Sequence, residues 1–142
     1  MKIKFKKLRN GVRPPKYATD GSGAFDIYYD NYAEVEYGTI TKLNTGIAVE
    51  LPRGYSLFLF SRSGHGANHG VRLANCVGII DSDYRGEIIV PLTKDLEGDC
   101  YKIFPYDRVC QGIVFPTPVI EFEEVEELST TERGVGGFGS TG

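Results

Sequence analysis

The stretch Y-S-L-F-L-F-S, Tyr55–Ser61, mixes aromatic and aliphatic side chains with serine. That mixture is typical of a β-strand with one face in a core. Two further runs of β-branched and aromatic residues, Gly86–Leu92 and Gln111–Phe122, predict more strands. Turn signals separate these runs at Asn10–Gly11, Asp20–Gly21, Pro52–Gly54 and Glu97–Asp99. Many short strands at this spacing indicate an all-β domain, either a sandwich or a β-barrel.

Outside these runs the pattern is weaker. The alternation of basic and apolar residues from Lys2 to Arg9 predicts a strand with one solvated face. One short helix is expected between Gly66 and Asn75, and E-F-E-E-V-E-E-L, Glu121–Leu128, suits an edge strand. The organisation is therefore a single domain over residues 1–132, followed by a glycine-rich arm at 133–142.

Composition narrows the class of protein. The chain has 142 residues and a formal net charge of -3, which argues against a broad basic surface for nucleic acid. No apolar run approaches the roughly 20 residues that span a bilayer, and no signal-peptide core is present. Three widely spaced cysteines, Cys76, Cys100 and Cys110, are expected to be reduced and mostly buried in a cytoplasmic compartment.

Four polar segments interrupt the apolar runs. S-R-S-G, Ser61–Gly64, offers a guanidinium, a hydroxyl and a glycine for an anion, although it also suits an ordinary turn. G-I-I-D-S-D-Y-R-G, Gly78–Gly86, carries two carboxylates, and one of them could activate a water. A-F-D-I, Ala24–Ile27, places an aspartate between apolar residues, where it needs a partner. D-R-V-C-Q, Asp107–Gln111, adds a fourth polar segment.

Two other features allow a structural or a functional interpretation. His65 and His69 have the i,i+4 spacing of metal ligands on a helix, but the flanking glycines favour a surface loop pair instead. The chain ends in R-G-V-G-G-F-G-S-T-G, Arg133–Gly142, in which five of ten residues are glycine. Such a tail is either a frayed terminus or an arm that reaches a neighbouring subunit.

Taken in order, these five segments resemble the five motifs of the trimeric deoxyuridine triphosphatase (dUTPase) family. The match extends from Asp26 to the C-terminus, and the third and fifth motifs are nearly intact. Departures from the family pattern occur at four positions, namely Phe25, Ser61, Tyr106 and Cys110. None of them removes a functional side chain.

The resemblance implies a β-clip fold, a jelly-roll-like β-barrel, and a homotrimer with shared active sites. It implies hydrolysis of dUTP to dUMP and pyrophosphate with Mg²⁺, which limits uracil incorporation into DNA and supplies dUMP for dTMP synthesis. The cytoplasm is expected, or the host cytoplasm for a viral protein, without membrane or nucleic-acid contact.

The resemblance also assigns site residues. Asp81 would activate the attacking water, and Asp26 would act on the metal indirectly, through water, or orient Arg62. Tyr84 would stack under the deoxyribose and exclude a 2′-hydroxyl. Substrate contacts are implied for the following residues: Arg62, Ser63, Gly64, Asn75, Gly78, Ile80, Gln111, Arg133, Phe138, Gly139, Ser140 and Thr141. Phe138 would cover the uracil when the arm closes.

Two other functions remain open at this point. A dCTP deaminase shares the fold but needs a glutamate placed against the cytosine ring. A nucleotide-sensing protein could keep the fold without turnover, because a fold alone does not establish activity.

Overall fold

The structure, a computed structural model, describes residues 1–139. Over this range the chain forms twelve β-strands and one short helix. In chain order they are β1 Lys4–Lys7, β2 Lys16–Tyr17, β3 Phe25–Tyr28, β4 Ala33–Val35, β5 Thr41–Asn44, β6 Ile47–Glu50, β7 Tyr55–Phe60, α1 Ser63–His69, β8 Val71–Leu73, β9 Val77–Ile80, β10 Ile89–Lys94, β11 Tyr101–Ile103 and β12 Arg108–Pro116. The predicted all-β class is confirmed.

The strands pair in antiparallel fashion in four sheets. The largest has the order β2-β3-β12-β7-β9, and β5-β10-β8 forms a three-stranded sheet. Two strand pairs, β1-β6 and β11-β4, complete the fold. In the five-stranded sheet, β9 is the edge strand beside β7, and β12 lies centrally between β3 and β7.

One apolar core joins the sheets. Leu57 and Leu59 on β7 are buried, whereas Phe58 and Phe60 are half-exposed, as expected for a strand with one face inward. The deepest side chains come from strands of all the larger sheets and include Ile27, Leu43, Leu73, Leu92 and Ile103. Burial of each such side chain stabilises the fold by about 1.5–3 kcal/mol.

Several predicted boundaries were wrong. The strand expected at Gly86–Leu92 lies at Ile89–Lys94, and the one expected at Gln111–Phe122 lies at Arg108–Pro116. The N-terminal strand is present at Lys4–Lys7, but Phe5 is still 48% exposed. The helix predicted within Gly66–Asn75 covers Ser63–His69 instead and ends at Gly70, whose φ of +64° is the left-handed conformation that favours glycine.

The segment after β12 contains no strand up to residue 139, so the predicted edge strand at Glu121–Leu128 was wrong. The start of this segment is attached to the turn before β7, because the backbone N–H of Thr117 donates to Gly54 O at 2.7 Å. Beyond that point the apolar side chains are exposed, among them Val119, Ile120, Phe122 and Leu128. Within residues 1–139 these side chains have no sheet partner, which explains why the charged alternation alone did not form a strand.

The cysteines are free, but only one is buried. Cys110 lies in the core, Cys100 is half-buried and Cys76 is exposed, so the expectation of mostly buried thiols was wrong. Burial raises the pKa of the Cys110 thiol. No helix within residues 1–139 is long and apolar enough to cross a membrane.

Candidate active site

Polar side chains from β3 and β12 meet those that follow β7, at one end of the five-stranded sheet. Asp26 on β3 is opposite Gln111 on β12, and Gln111 is opposite Phe60 at the end of β7. Arg62 is the second residue after β7. Three of the predicted motif segments, A-F-D-I, S-R-S-G and D-R-V-C-Q, are therefore brought together, although they are far apart in sequence. We call Asp26, Arg62, Arg108 and Gln111 the arginine cluster.

Asp26 lies between two guanidinium groups. Its Oδ1 accepts a hydrogen bond from Arg62 Nε at 3.3 Å, and Arg108 Nη1 is 3.6 Å from its Oδ2. The residue is only 8% exposed, so its carboxylate requires such partners. The sequence-based expectation that this aspartate needs a partner is confirmed. Arg62 is the arginine that the resemblance named for it, whereas Arg108 is a second partner that was not named.

Gln111 and Ser61 form the turn that carries Arg62. Gln111 Nε2 donates to Ser61 O at 3.0 Å, and Ser61 Oγ accepts from Leu73 N at 2.9 Å. Serine at position 61 thus ties the turn to β8 by a hydrogen bond that a proline side chain could not accept. Ser63 and Gly64 follow in the first turn of α1 and are exposed.

His65 is buried and faces Arg62, not the solvent. It is 9% exposed, and its Nε2 lies 3.2 Å from Arg62 Nη1. The rings of His65 and His69 both pack against Tyr101, with centroid separations of 5.3 Å and 4.8 Å. The interpretation of the two histidines as a surface loop pair was wrong, because the helix begins before them and turns His65 inward.

The strand β9 and the turn before it carry a second group of predicted residues. Asn75 is exposed in the preceding turn, Gly78 is buried against Leu59, and Ile80 is half-buried at the end of the strand. A Cβ at Gly78 would lie 3.2 Å from Leu59 Cβ, which explains the absence of a side chain here. Asp81 follows, exposed, and lines an open cleft of about 630 Å³ together with Arg53 and Arg85.

Tyr84 lies in the segment that follows β9. Its backbone N–H donates to Asp81 O at 3.2 Å, and its hydroxyl donates to Glu87 O at 3.0 Å. Its ring occupies the space beside Gly86, where a Cβ would lie 2.4 Å from the hydroxyl oxygen. A side chain at position 86 would therefore displace the tyrosine ring from this position.

A partly exposed ion network centred on Glu87 holds the end of the segment Asp81–Glu87. Glu87 accepts from Arg9 Nη1 at 2.8 Å and from the backbone N–H of Gly46 at 2.6 Å, and its other oxygen accepts from Asn44 Nδ2 at 2.8 Å. Burial opposes ionisation of Glu87, but these hydrogen bonds outweigh it and lower its pKa. Arg9 also forms a two-point contact with Asp30, which lowers the pKa of that carboxyl.

The two groups lie at opposite ends of β7. Leu57 is opposite Ile80, so Asp81 lies beside Ser56 near the start of β7, whereas Arg62 follows its last residue. Five or six residues of strand separate them, roughly 17–20 Å. Within this single chain, therefore, Asp81 and the arginine cluster are not brought together.

The arm is described as far as Gly139. Arg133 Nε donates to Gly136 O at 2.9 Å, and Phe138 is fully exposed. Up to residue 139 the arm does not contact the arginine cluster. Ser140 and Thr141 lie outside the described residues.

Three residues near the site were not assigned a role by sequence reasoning. Arg108 was passed over although it lies between Asp107 and Gln111 in one motif. His65 and Glu87 carry no local signal, because their roles depend on contacts with Arg62, Arg9 and Gly46.

Tyr106, where the family usually has glycine, adopts φ +74° and donates its N–H to Tyr29 O at 2.6 Å. That left-handed backbone explains the usual glycine.

Comparison with known proteins finds similar chains along the whole length of this protein. A family model described as dUTPase matches residues 11–142. The deoxyuridine 5′-triphosphate nucleotidohydrolase of Finegoldia magna is 44% identical over 100% of this chain and 99% of its own length. The protein of that name from Helicobacter pylori is 42% identical over 100% and 97%.

A solved structure of a dUTPase has a similar fold. The Staphylococcus bacteriophage 80alpha dUTPase G164S mutant with dUpNHpp superposes with a TM-score of 0.91 and 26% identity, over 99% of this chain and 98% of that one. With a family model that covers most of the chain and relatives above 40% identity along all of it, the chain belongs to the dUTPase family.

Proposed function

We propose that this protein hydrolyses dUTP to dUMP and pyrophosphate by attack of a water on the α-phosphorus, with Asp81 as the general base. The observation that carries the proposal is the exposed Asp81 carboxylate at the end of β9, within an intact G-I-I-D-S-D-Y-R-G segment of a dUTPase chain. It lines an open cleft from which a bound water and substrate can reach it. The product dUMP would supply dTMP synthesis, and removal of dUTP would limit uracil in DNA.

The arginine cluster suits the triphosphate. Arg62 can donate to phosphate oxygens through a planar fork, and Ser63, Gly64 and Gln111 add neutral donors at the same end of the sheet. Asp26 accepts a hydrogen bond from Nε of Arg62 and so holds the guanidinium at this site. Most of the catalytic effect in such transfers comes from positioning and charge stabilisation.

The unpaired side of β9 is suited to bind the nucleoside. β9 is an edge strand, and among the described residues its outer side has no strand partner. Backbone groups near Gly78 and Ile80 can therefore pair with the hydrogen-bonding edge of uracil, and Asn75 lies in the turn before them. Tyr84, fixed by Glu87 O and Gly86, would form the wall that rejects a 2′-hydroxyl.

The separation along β7 supports the proposal of a homotrimer with shared sites. Asp81 and the arginine cluster of one chain are too far apart to act on one triphosphate, so the complete site would combine residues of different subunits. The exposed apolar side chains after Thr117 support this proposal, because a contiguous apolar segment on a chain's surface usually marks an interface. The arm with Arg133, Phe138, Gly139 and Ser140 would close over a neighbouring site.

Magnesium would accompany the triphosphate. No group of three His, Cys, Asp or Glu side chains capable of holding an ion occurs among residues 1–139, which fits a cation that keeps its waters and its phosphate ligands. Asp26 could contact it through water with the lone pairs that the arginines leave free. When bound, the ion would neutralise phosphate charge.

The test is pyrophosphate release from dUTP, UTP, dCTP and dTTP in the presence of magnesium, with ammonia measured in the same reactions. Release from dUTP alone without ammonia is expected, and Asp81→Asn should abolish it while a non-hydrolysable dUTP analogue still binds. Ammonia from dCTP would indicate a deaminase instead. Binding of the analogue without turnover of any nucleotide would favour a sensing protein and contradict the proposal.

A further inference from the structure

His65 is a buried polar residue that the proposed mechanism does not use. A guanidinium has only donors, so the His65 Nε2 that faces Arg62 Nη1 at 3.2 Å must be an unprotonated acceptor. The proton of the neutral ring then lies on Nδ1. That atom is buried and has no hydrogen-bond partner among the described residues. Buried polar atoms without a partner are rare in folded proteins.

The unpartnered Nδ1 indicates that this arrangement keeps the contact between His65 Nε2 and Arg62 Nη1. The ring packs against Tyr101 and projects from α1, and in this position Nε2 faces a partner whereas Nδ1 does not. Asp26 accepts from Nε of Arg62 at 3.3 Å, and His65 accepts from Nη1. The guanidinium is thus held at two of its nitrogens, Nε and Nη1.

We propose that His65 is a positioning residue that fixes the guanidinium of Arg62 for the triphosphate, and that it does so only as the neutral Nδ1–H tautomer. The proposal rests on the phosphate-binding role of Arg62 in the proposed function. Protonation of Nε2 would replace the acceptor by a donor and place two cations in contact. Arg62 would then be displaced from its position.

The charges around His65 favour the neutral ring. Burial lowers its pKa, and the Arg62 and Arg108 guanidinium groups lower it further, whereas Asp107 raises it. His69, from the same helix, also lowers it, and the ring of Tyr101 packs against that of His65. The acceptor is therefore available at neutral pH and is lost on acidification below the ordinary histidine value of 6.5.

The first test reads the tautomer directly. The chain has only two histidines, so ¹⁵N NMR of the imidazole nitrogens separates their signals, and His65→Leu assigns them. At neutral pH we expect a protonated Nδ1 and an unprotonated Nε2 for His65. A protonated Nε2, or a doubly protonated ring, would overturn the proposal without any kinetic measurement.

The second test compares three variants in dUTP turnover. His65→Leu removes the acceptor, His65→Gln keeps an oxygen that can accept, and His69→Leu is the matched control because His69 packs on Tyr101 without touching Arg62. We expect the KM for dUTP to rise about tenfold in His65→Leu, the loss typical of a hydrogen bond to a charged group. His65→Gln should restore most of that loss, and His69→Leu should stay close to wild type.

Acidification provides a readout that a purely structural role would not change. Between about pH 5 and pH 7 the wild-type KM should rise more than that of His65→Leu, and the ratio cancels the titration of the substrate. Equal KM values for wild type and His65→Leu at every pH would overturn the inference while leaving the proposed function intact. A wild-type protein that binds the dUTP analogue but never hydrolyses dUTP would overturn the proposed function, and the NMR result would still decide the tautomer.

Discussion

Gly86→Ala tests whether the position of the Tyr84 ring sets the choice between dUTP and UTP. A Cβ at this position would lie 2.4 Å from the Tyr84 hydroxyl oxygen and 2.5 Å from Cζ, whereas ordinary contact begins at 3.4 Å. The ring must therefore move by about 1 Å. That shift stretches the 3.0 Å hydrogen bond from the hydroxyl to Glu87 O beyond a useful length.

The expected effect is larger on selectivity than on turnover of dUTP. Loss of one hydrogen bond costs about 0.5–1.5 kcal/mol, which alone loosens the ring. A wall displaced by about 1 Å leaves room for a 2′-hydroxyl, so the ratio of kcat/KM for dUTP over UTP should fall on the order of 10- to 100-fold. Most of the change should be a gain for UTP.

The assay is pyrophosphate release with each nucleotide over a range of concentrations. Gly21→Ala is the matched control, because a Cβ there would meet nothing within 4 Å and its backbone is not left-handed. Thermal unfolding of both variants identifies a general loss of structure. An unchanged preference for dUTP in a folded Gly86→Ala protein would refute the assignment of Tyr84 as the wall.

Three other changes test the arm, the buried histidine and the packing of the sheet. Deleting residues 133–142 should leave a folded protein whose kcat/KM falls on the order of a hundredfold, since the described part of this arm is exposed; normal turnover would exclude closure of the arm as a catalytic step. Because burial lowers the pKa of His65, the unfolded chain binds more protons below the ordinary value of 6.5, so stability is constant above that pH and falls below it. His65→Leu should lose this part of the slope in chemical denaturation measured between about pH 5 and pH 7, and parallel curves would contradict the sign. Gly112→Ala would place a Cβ 2.6 Å from Phe25 Cε2 and should destabilise the protein by about 1–3 kcal/mol, and a melting temperature equal to wild type would show that the ring moves freely.

The all-β class and the polar motif segments could be predicted because they depend on local patterns. The strand at Tyr55–Phe60 follows from a mixture of aromatic and aliphatic side chains, and the polar motifs follow from their letters and order. The boundaries at Gly86–Leu92 and Glu121–Leu128 could not be predicted in this way. Apolar or alternating residues form a strand only where a neighbour offers backbone partners, and Glu121–Leu128 has none in the described structure.

The sequence by itself determined which chemical groups the protein has, namely Asp81, Tyr84, the Asp26 and Arg62 pair, and the glycine-rich arm. Only the tertiary structure decided where they act. Antiparallel pairing of β7 with β9 and β12 places Asp81 at one end of the sheet and Arg62 at the other, and α1 turns His65 toward Arg62. The physical reason is that strand register and burial are set by contacts between residues distant in sequence, which no local pattern encodes.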